Sequence, residues 1–131
     1  MQSLVKRVWI ISIPISSFEK SLAFYRDQLG MKVRLDGRMF NWMELGPEEP
    51  LCKIGLYEWK EGIPRKYPVH TGITLDASDV QELYNRLKAK GTKFINPPKH
   101  EEWGGWSAEF TDPDGNFLSV VQDPDHYKRS M

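Results

Sequence analysis

The chain has a single cysteine, Cys52, only three histidines, no surplus of either charge and no long uninterrupted hydrophobic run. A lone thiol rules out an internal disulfide framework. The apolar stretch from Val8 to Ile15 is broken by Ser12 and Pro14, so it reads neither as a signal peptide nor as a membrane span. The expectation is a cytoplasmic protein with no membrane partner. Lys plus Arg and Asp plus Glu each total 18, and the basic residues are scattered, which removes the electrostatic footprint of a nucleic-acid binder. Cys52 falls in an apolar alternation with Leu51, Ile54 and Leu56 and has no nearby histidine, so it is expected to be buried and inert rather than nucleophilic. A chain of 131 residues buries enough surface to fold as one domain without a metal or cofactor.

What is present begins with a rigid turn between two strand-like runs, Glu109-Phe110-Thr111-Asp112-Pro113-Asp114-Gly115-Asn116-Phe117-Leu118-Ser119. Pro113 fixes its φ, Gly115 permits a positive one, and Asp112, Asp114 and Asn116 can bond neighbouring backbone, which predicts a tight hairpin. A Ca²⁺ loop is excluded by spacing, because counting from Asp112 places Gly115 at the fourth position and Asp123 at the twelfth, where an EF-hand needs Gly at six and Glu at twelve.

The two halves of the chain echo each other. Val8 to Ile15 reads as a strand, and Ser16-Ser17-Phe18-Glu19 as a capping box that starts a helix with an apolar stripe of Phe18, Leu22, Tyr25 and Leu29, ended by Gly30. Ile73 to Ala77 reads as a second strand. Ser78-Asp79-Val80-Gln81 then caps a helix with Val80, Leu83, Tyr84 and Leu87 on its stripe, ended by Gly91. Strands are expected at Met31 to Leu35, Met39 to Leu45 and Lys53 to Trp59, and again at Thr92 to Ile95, Trp106 to Thr111 and Phe117 to Gln122. Lys60 to Pro68, with Gly62, Pro64 and Pro68, suits a linker between modules of about 6–60 and 69–123 that together form one domain.

A βαβββ unit used twice, with Ser21-Leu22-Ala23-Phe24-Tyr25-Arg26-Asp27-Gln28-Leu29-Gly30-Met31 in the first helix and Asp112-Pro113-Asp114-Gly115-Asn116 near the end, resembles the vicinal oxygen chelate superfamily. That group includes glyoxalase I, extradiol dioxygenases and bleomycin-resistance proteins. The resemblance implies an α+β fold of two tandem modules whose curved sheets enclose a cavity, with helices outside, often completed as a homodimer. It also implies four inward-facing strand positions that hold a divalent ion in the metal-dependent members, and these fall here on Ile10, Gly55, Gly72 and Ser119. Ile and Gly offer no donor and Ser a poor one, so the metal site is expected to be lost and no cofactor is expected. His70 lies two residues before Gly72 and shares its face, so a register shift of two would make it a ligand. Glu44, Glu58, Glu109, His100 and His126 fall at no family ligand position, and His100 follows Pro97-Pro98 in what reads as a loop.

On the implied topology the cavity is lined by Ile10, Ser12, Gly55, Tyr57, His70, Gly72, Thr74 and Ser119, with Trp42 and Trp106 available for stacking. Gly55 and Gly72 would leave room for an organic molecule, or for neighbouring aromatic side chains to fill. The leading expectation is a metal-free protein that sequesters or senses an aromatic or amphipathic small molecule. The alternatives are a lyase, isomerase or dioxygenase with a displaced site around His70 or a Glu44 and Glu109 acid/base pair, and a subunit protein whose cavity is filled.

Overall fold

The computed structural model describes residues 2–47 and 52–124. It divides into two compact units, Met1–Tyr67 and Pro68–Met131, so the boundary falls inside the stretch expected to be a linker. Among the described residues no helix is long and apolar enough to cross a membrane.

The first unit runs β1 (Ile10–Ile15), α1 (Phe18–Leu22), β2 (Lys32–Gly37), β3 (Trp42–Gly46) and β4 (Lys53–Glu58). The second runs β5 (His70–Asp76), α2 (Val80–Ala89), β6 (Phe94–His100), β7 (Trp106–Thr111) and β8 (Phe117–Gln122). Each forms a four-stranded sheet of the same topology, β1-β4-β3-β2 and β5-β8-β7-β6, in which the first and last strands pair in parallel and the others are antiparallel. The α+β fold of two tandem βαβββ modules is therefore present.

The helices start one residue later than the capping boxes suggested. Ser17 accepts from the Lys20 N–H and Asp79 from the Glu82 N–H, still 62 residues apart (79 − 17). Both helices are also anchored from the sheet. The Phe18 N–H donates to the Glu58 carboxylate and the Val80 N–H to the Gln122 side chain, so the last residue of each parallel strand satisfies a donor that the helix itself cannot. α1 passes into a π-helical segment, Ala23–Gln28, where the Leu29 N–H reaches back to the Phe24 carbonyl. Widening the turn there brings Phe24 as well as Tyr25 into the core, beyond the stripe expected from a 3.6-residue period.

Alternation on the strands separates two faces in each sheet. Ile13, Ile15, Met43, Leu45, Ile54 and Leu56 are buried toward α1, and Ala108, Phe110, Leu118 and Val120 toward α2. The opposite, helix-free faces carry most of the candidate residues.

The predicted turn joins β7 to β8. One Asp112 carboxylate oxygen accepts from the Asp114 and Asn116 N–H groups and the other from the Asn116 side chain, while the Asn116 side-chain oxygen accepts from the Val69 N–H that leads into β5. Two expectations are corrected. Cys52 is exposed, because β4 begins at Lys53 and the apolar alternation does not extend back across it; Leu51 lies outside the described residues. His100 is the last residue of β6 rather than part of a loop, since Pro97 and Pro98 sit on an edge strand whose outer N–H groups need no partner.

Candidate functional site

In the first module, register places Ser12 opposite Gly55 and Gly55 opposite Glu44, with Ile10 opposite Lys53 and Pro14 opposite Tyr57. These residues share the helix-free face with Trp42, two positions before Glu44 on β3. The space left by Gly55 is not open. A Cβ there would meet Trp42 Cζ3 at 3.0 Å and approach Cζ2 and Cη2 more closely, so the indole lies across the glycine backbone. Of the two outcomes expected for this glycine, the structure adopts the one in which an aromatic ring takes the volume.

That indole is held in place. Trp42 Nε1 donates to Glu44 Oε2 at 2.9 Å, and Lys53 Nζ donates to Glu44 Oε1 at 2.9 Å. Lys53 Nζ also sits 4.9 Å from the centroid of the Trp9 ring, within cation–π range. Glu44 is 5% exposed. The bonds from Lys53 and Trp42 outweigh desolvation and hold its carboxyl below the usual value. Tyr57 donates through its hydroxyl to the Arg65 carbonyl, and Arg65 donates to the Ser12 carbonyl.

A group whose pKa is depressed by folding contributes stability that is present above its unfolded value and lost as pH falls through its folded value. The Glu44 bonds are therefore expected to weaken in acid. Urea midpoints measured below about pH 5 should fall more steeply for the wild type than for Glu44→Gln, and parallel slopes would contradict the assignment.

In the second module the helix-free face carries Thr74 opposite Ser119, and Ser119 opposite Glu109. Glu109 also accepts from the Asn96 side chain. Gly72 has nothing within 4 Å of where a Cβ would lie, and its backbone has a role of its own. β5 advances from His70 to Thr74 while β8 advances only from Phe117 to Ser119, and Gly72 absorbs the excess in a bulge at φ +74°. The Thr71 hydroxyl completes the bulge by donating to the Phe117 carbonyl and accepting the Ile73 N–H. His70 stacks on Phe117 with ring centroids 4.3 Å apart, and its Nδ1 accepts the Gly72 N–H.

Trp106 is placed differently from the expectation. It pairs with Gln122 in the register of Ala108–Val120 and Phe110–Leu118, so it stands on the helix side, edge-on to His100, and not on the face of Ser119. The polar alternation of Ser107, Glu109 and Thr111 carried that information. Glu58, another candidate, is used to anchor α1. His126 lies outside the described residues. Sequence reasoning passed over Lys53, although it lies two positions before Gly55 and therefore on the same face.

The residues that the resemblance puts at metal-ligand positions do not fit a metal. Ile10, Gly55, Gly72 and Ser119 supply at best one weak oxygen, and among the described residues no group of three or more His, Cys, Asp or Glu side chains could hold an ion.

Comparison with known proteins places this geometry among relatives of mixed chemistry. The chain is 29% identical over 121 residues to the metallothiol transferase FosB of Staphylococcus haemolyticus, covering 89% of this chain and 84% of that one. A superfamily member from Sphaerobacter thermophilus superposes with a TM-score of 0.80 at 29% identity, covering 92% of this chain and all of the other. TnmS3, an antibiotic binding protein from Streptomyces sp. CB03234, superposes with a TM-score of 0.77 at 28% identity, covering 92% and 98%. With two βαβββ modules in place and the family model matching residues 8–128, the chain belongs to the Glyoxalase/Bleomycin resistance protein/Dioxygenase superfamily.

Proposed function

We propose that this protein binds an aromatic or amphipathic small molecule without a metal ion, sequestering or sensing it, and that its two modules work as one domain of a homodimer. The observation that carries the reading is the Trp42 indole laid over Gly55, one of the family's metal-ligand positions, and fixed there through Glu44 and Lys53. A flat ring held by a buried carboxylate offers a stacking platform that loses little side-chain entropy when a ligand docks. The likeness to an antibiotic binding protein supports the same reading. A catalytic role for Glu44 is disfavoured by its chemistry: a carboxylate engaged by donors on both oxygens, with its pKa held down, is a weak base and a poor proton donor near neutrality.

Fluorescence titration tests the platform. 2-Naphthalenemethanol is expected to quench wild-type tryptophan emission saturably, and Trp42→Ala to weaken its binding by about tenfold or more, the effect of losing one well-placed aromatic contact. An unchanged affinity would place binding elsewhere. Elemental analysis after dialysis is expected to find no stoichiometric divalent metal, and one equivalent of Zn, Ni, Mn or Fe would overturn the metal-free reading.

The exposed Val33, Leu35, Met39 and Phe40 on and after the edge strand β2, with Ile95 on the edge strand β6, suit burial between copies. Light scattering at micromolar concentration is expected to give twice the chain mass. A monomer would remove the dimer from the proposal.

A further inference from the structure

The two modules use one plan twice, and the repeat pairs residues of one sheet with residues of the other. In the first module a row crosses the helix-free face as Ser12, Gly55, Glu44 and Leu35; in the second it crosses as Thr74, Ser119, Glu109 and Asn96. Glu109 is therefore the repeat of Glu44, at an offset of 65 (109 − 44), and Ser119 the repeat of Gly55, at 64 (119 − 55).

What surrounds the two carboxylates differs. Glu44 is closed by its own chain: Trp42, two positions before it on β3, bonds one oxygen, and Lys53, two before Gly55 on β4, bonds the other. At the repeated positions stand Ser107 and Phe117. Ser107 turns its hydroxyl to Glu101, and Phe117 has no donor in its side chain. Glu109 keeps one bond, from the Asn96 amide to Oε1; among the described residues its Oε2 has no donor and its carboxylate no ion pair. The Ser119 and Thr74 hydroxyls likewise bond no described residue. Lys99, which register puts opposite Ser107, has its ammonium 4.0 Å from Glu101 Oε1, and Lys93, whose carbonyl accepts the Thr111 N–H, makes no ion pair with Glu109.

The first module shows what fits a carboxylate at this position. There the Lys53 ammonium sits 2.9 Å from Glu44 Oε1 and 4.9 Å from the centroid of the Trp9 ring. The second module repeats the carboxylate and adds a ring, since Phe117 holds the same diagonal to Glu109 that Lys53 holds to Glu44, a cross-strand separation of about 7–8 Å. It lacks the ammonium. It also lacks the indole, because Ser107 stands where Trp42 stands in the first sheet.

We propose that the helix-free face of the second module binds an organic ammonium ion, the cation taking at Glu109 the place that Lys53 takes at Glu44, with the Ser119 and Thr74 hydroxyls as further acceptors. This site goes beyond the Trp42 platform of the first module and does not depend on it. An alcohol of the same shape gains only neutral hydrogen bonds, and a carboxylate meets like charge.

NMR titration with matched benzyl probes at neutral pH tests the site. Wild-type protein is expected to bind benzylammonium at least about tenfold more tightly than benzyl alcohol, the gain of a charge-assisted hydrogen bond over a neutral one. Amide shifts should centre on Glu109 and Ser119, and benzoate should bind less tightly than the alcohol. Glu109→Gln keeps the shape of the side chain and should abolish the preference for the amine. Phe117→Lys gives the second module the internal ammonium of the first and should abolish it as well, with near-UV circular dichroism reporting the fold of each variant. Glu101→Gln, which removes the neighbouring carboxylate, should leave the preference in place. Raising NaCl should shrink it in the wild type. If the alcohol or benzoate binds as tightly as the amine, if the preference survives Glu109→Gln, if Glu101→Gln reduces it as much, or if none of the probes binds, the ammonium site is wrong, whether or not 2-naphthalenemethanol binds at Trp42.

Discussion

Asp112→Ala is expected to lower stability by about 3 kcal/mol or more, because the substitution strands several buried donors at once and a lost bond to a charged group typically costs about 1.5–3 kcal/mol. Asp112 is 4% exposed and Asn116 fully buried. Removing the carboxylate leaves the Asp114 and Asn116 N–H groups and the Asn116 side-chain amide without that acceptor. Asn116 also holds the Val69 N–H, so the damage spreads from the β7–β8 turn to the start of β5. Thermal denaturation should show a melting temperature lower by roughly 10 °C, scaled for a domain of this size. Asp114→Ala is the control. Alanine at 114 keeps the backbone N–H that donates to Asp112, so the comparison singles out the Asp112 carboxylate as the acceptor of the turn. A loss below about 1 kcal/mol for Asp112→Ala would mean that Pro113 and Gly115 set the turn and that the carboxylate is dispensable.

The turn was legible because its residues act locally. Pro, Gly and the Asx side chains shape backbone within a few positions, and β7 and β8 on either side of it match the expected Trp106–Thr111 and Phe117–Gln122. The repeat was legible for the same reason, even though each N-cap lies one residue beyond the serine expected to hold it. What sequence pattern could not resolve were features fixed between strands. Gly72 looks like a missing side chain until the slip between β5 and β8 shows a bulge, where an L-residue would be forced into the left-handed region. Trp106 looks like a ring for the cavity until its pairing with Gln122 turns it to the helix side. Pro97 and Pro98 read as loop because local sequence does not say that β6 is an edge.

The candidate site was half legible. The implied topology and strand alternation put Gly55 and Tyr57 on one face, with Trp42 offered as a ring for stacking there. The charged groups that give that face its chemistry were not placed, because Lys53 and Glu44 come from different strands and their pairing is set by register.

The dependence of Trp42 on Gly55 leads to the second large expected effect. Gly55 has an ordinary backbone conformation, so alanine there meets no φ penalty and its effect comes from the indole alone. The new methyl cannot share the space with Trp42. The ring must swing away, giving up its bond to Glu44 and the platform a ligand would stack on. Gly55→Ala is expected to destabilise by about 1–3 kcal/mol, the usual cost of forcing a methyl into a packed site, and to weaken 2-naphthalenemethanol binding as much as Trp42→Ala does. A double-mutant cycle isolates the cause. With Trp42 already alanine, the Gly55→Ala step should lose most of its cost, giving a coupling energy of about 1–2 kcal/mol, within the range measured for contacting residues. If Gly55→Ala costs the same in both backgrounds, the glycine serves the backbone of β4 rather than the indole. If it costs nothing and binding is retained, Trp42 does not lie across Gly55 in solution, and the platform proposed for this face is wrong.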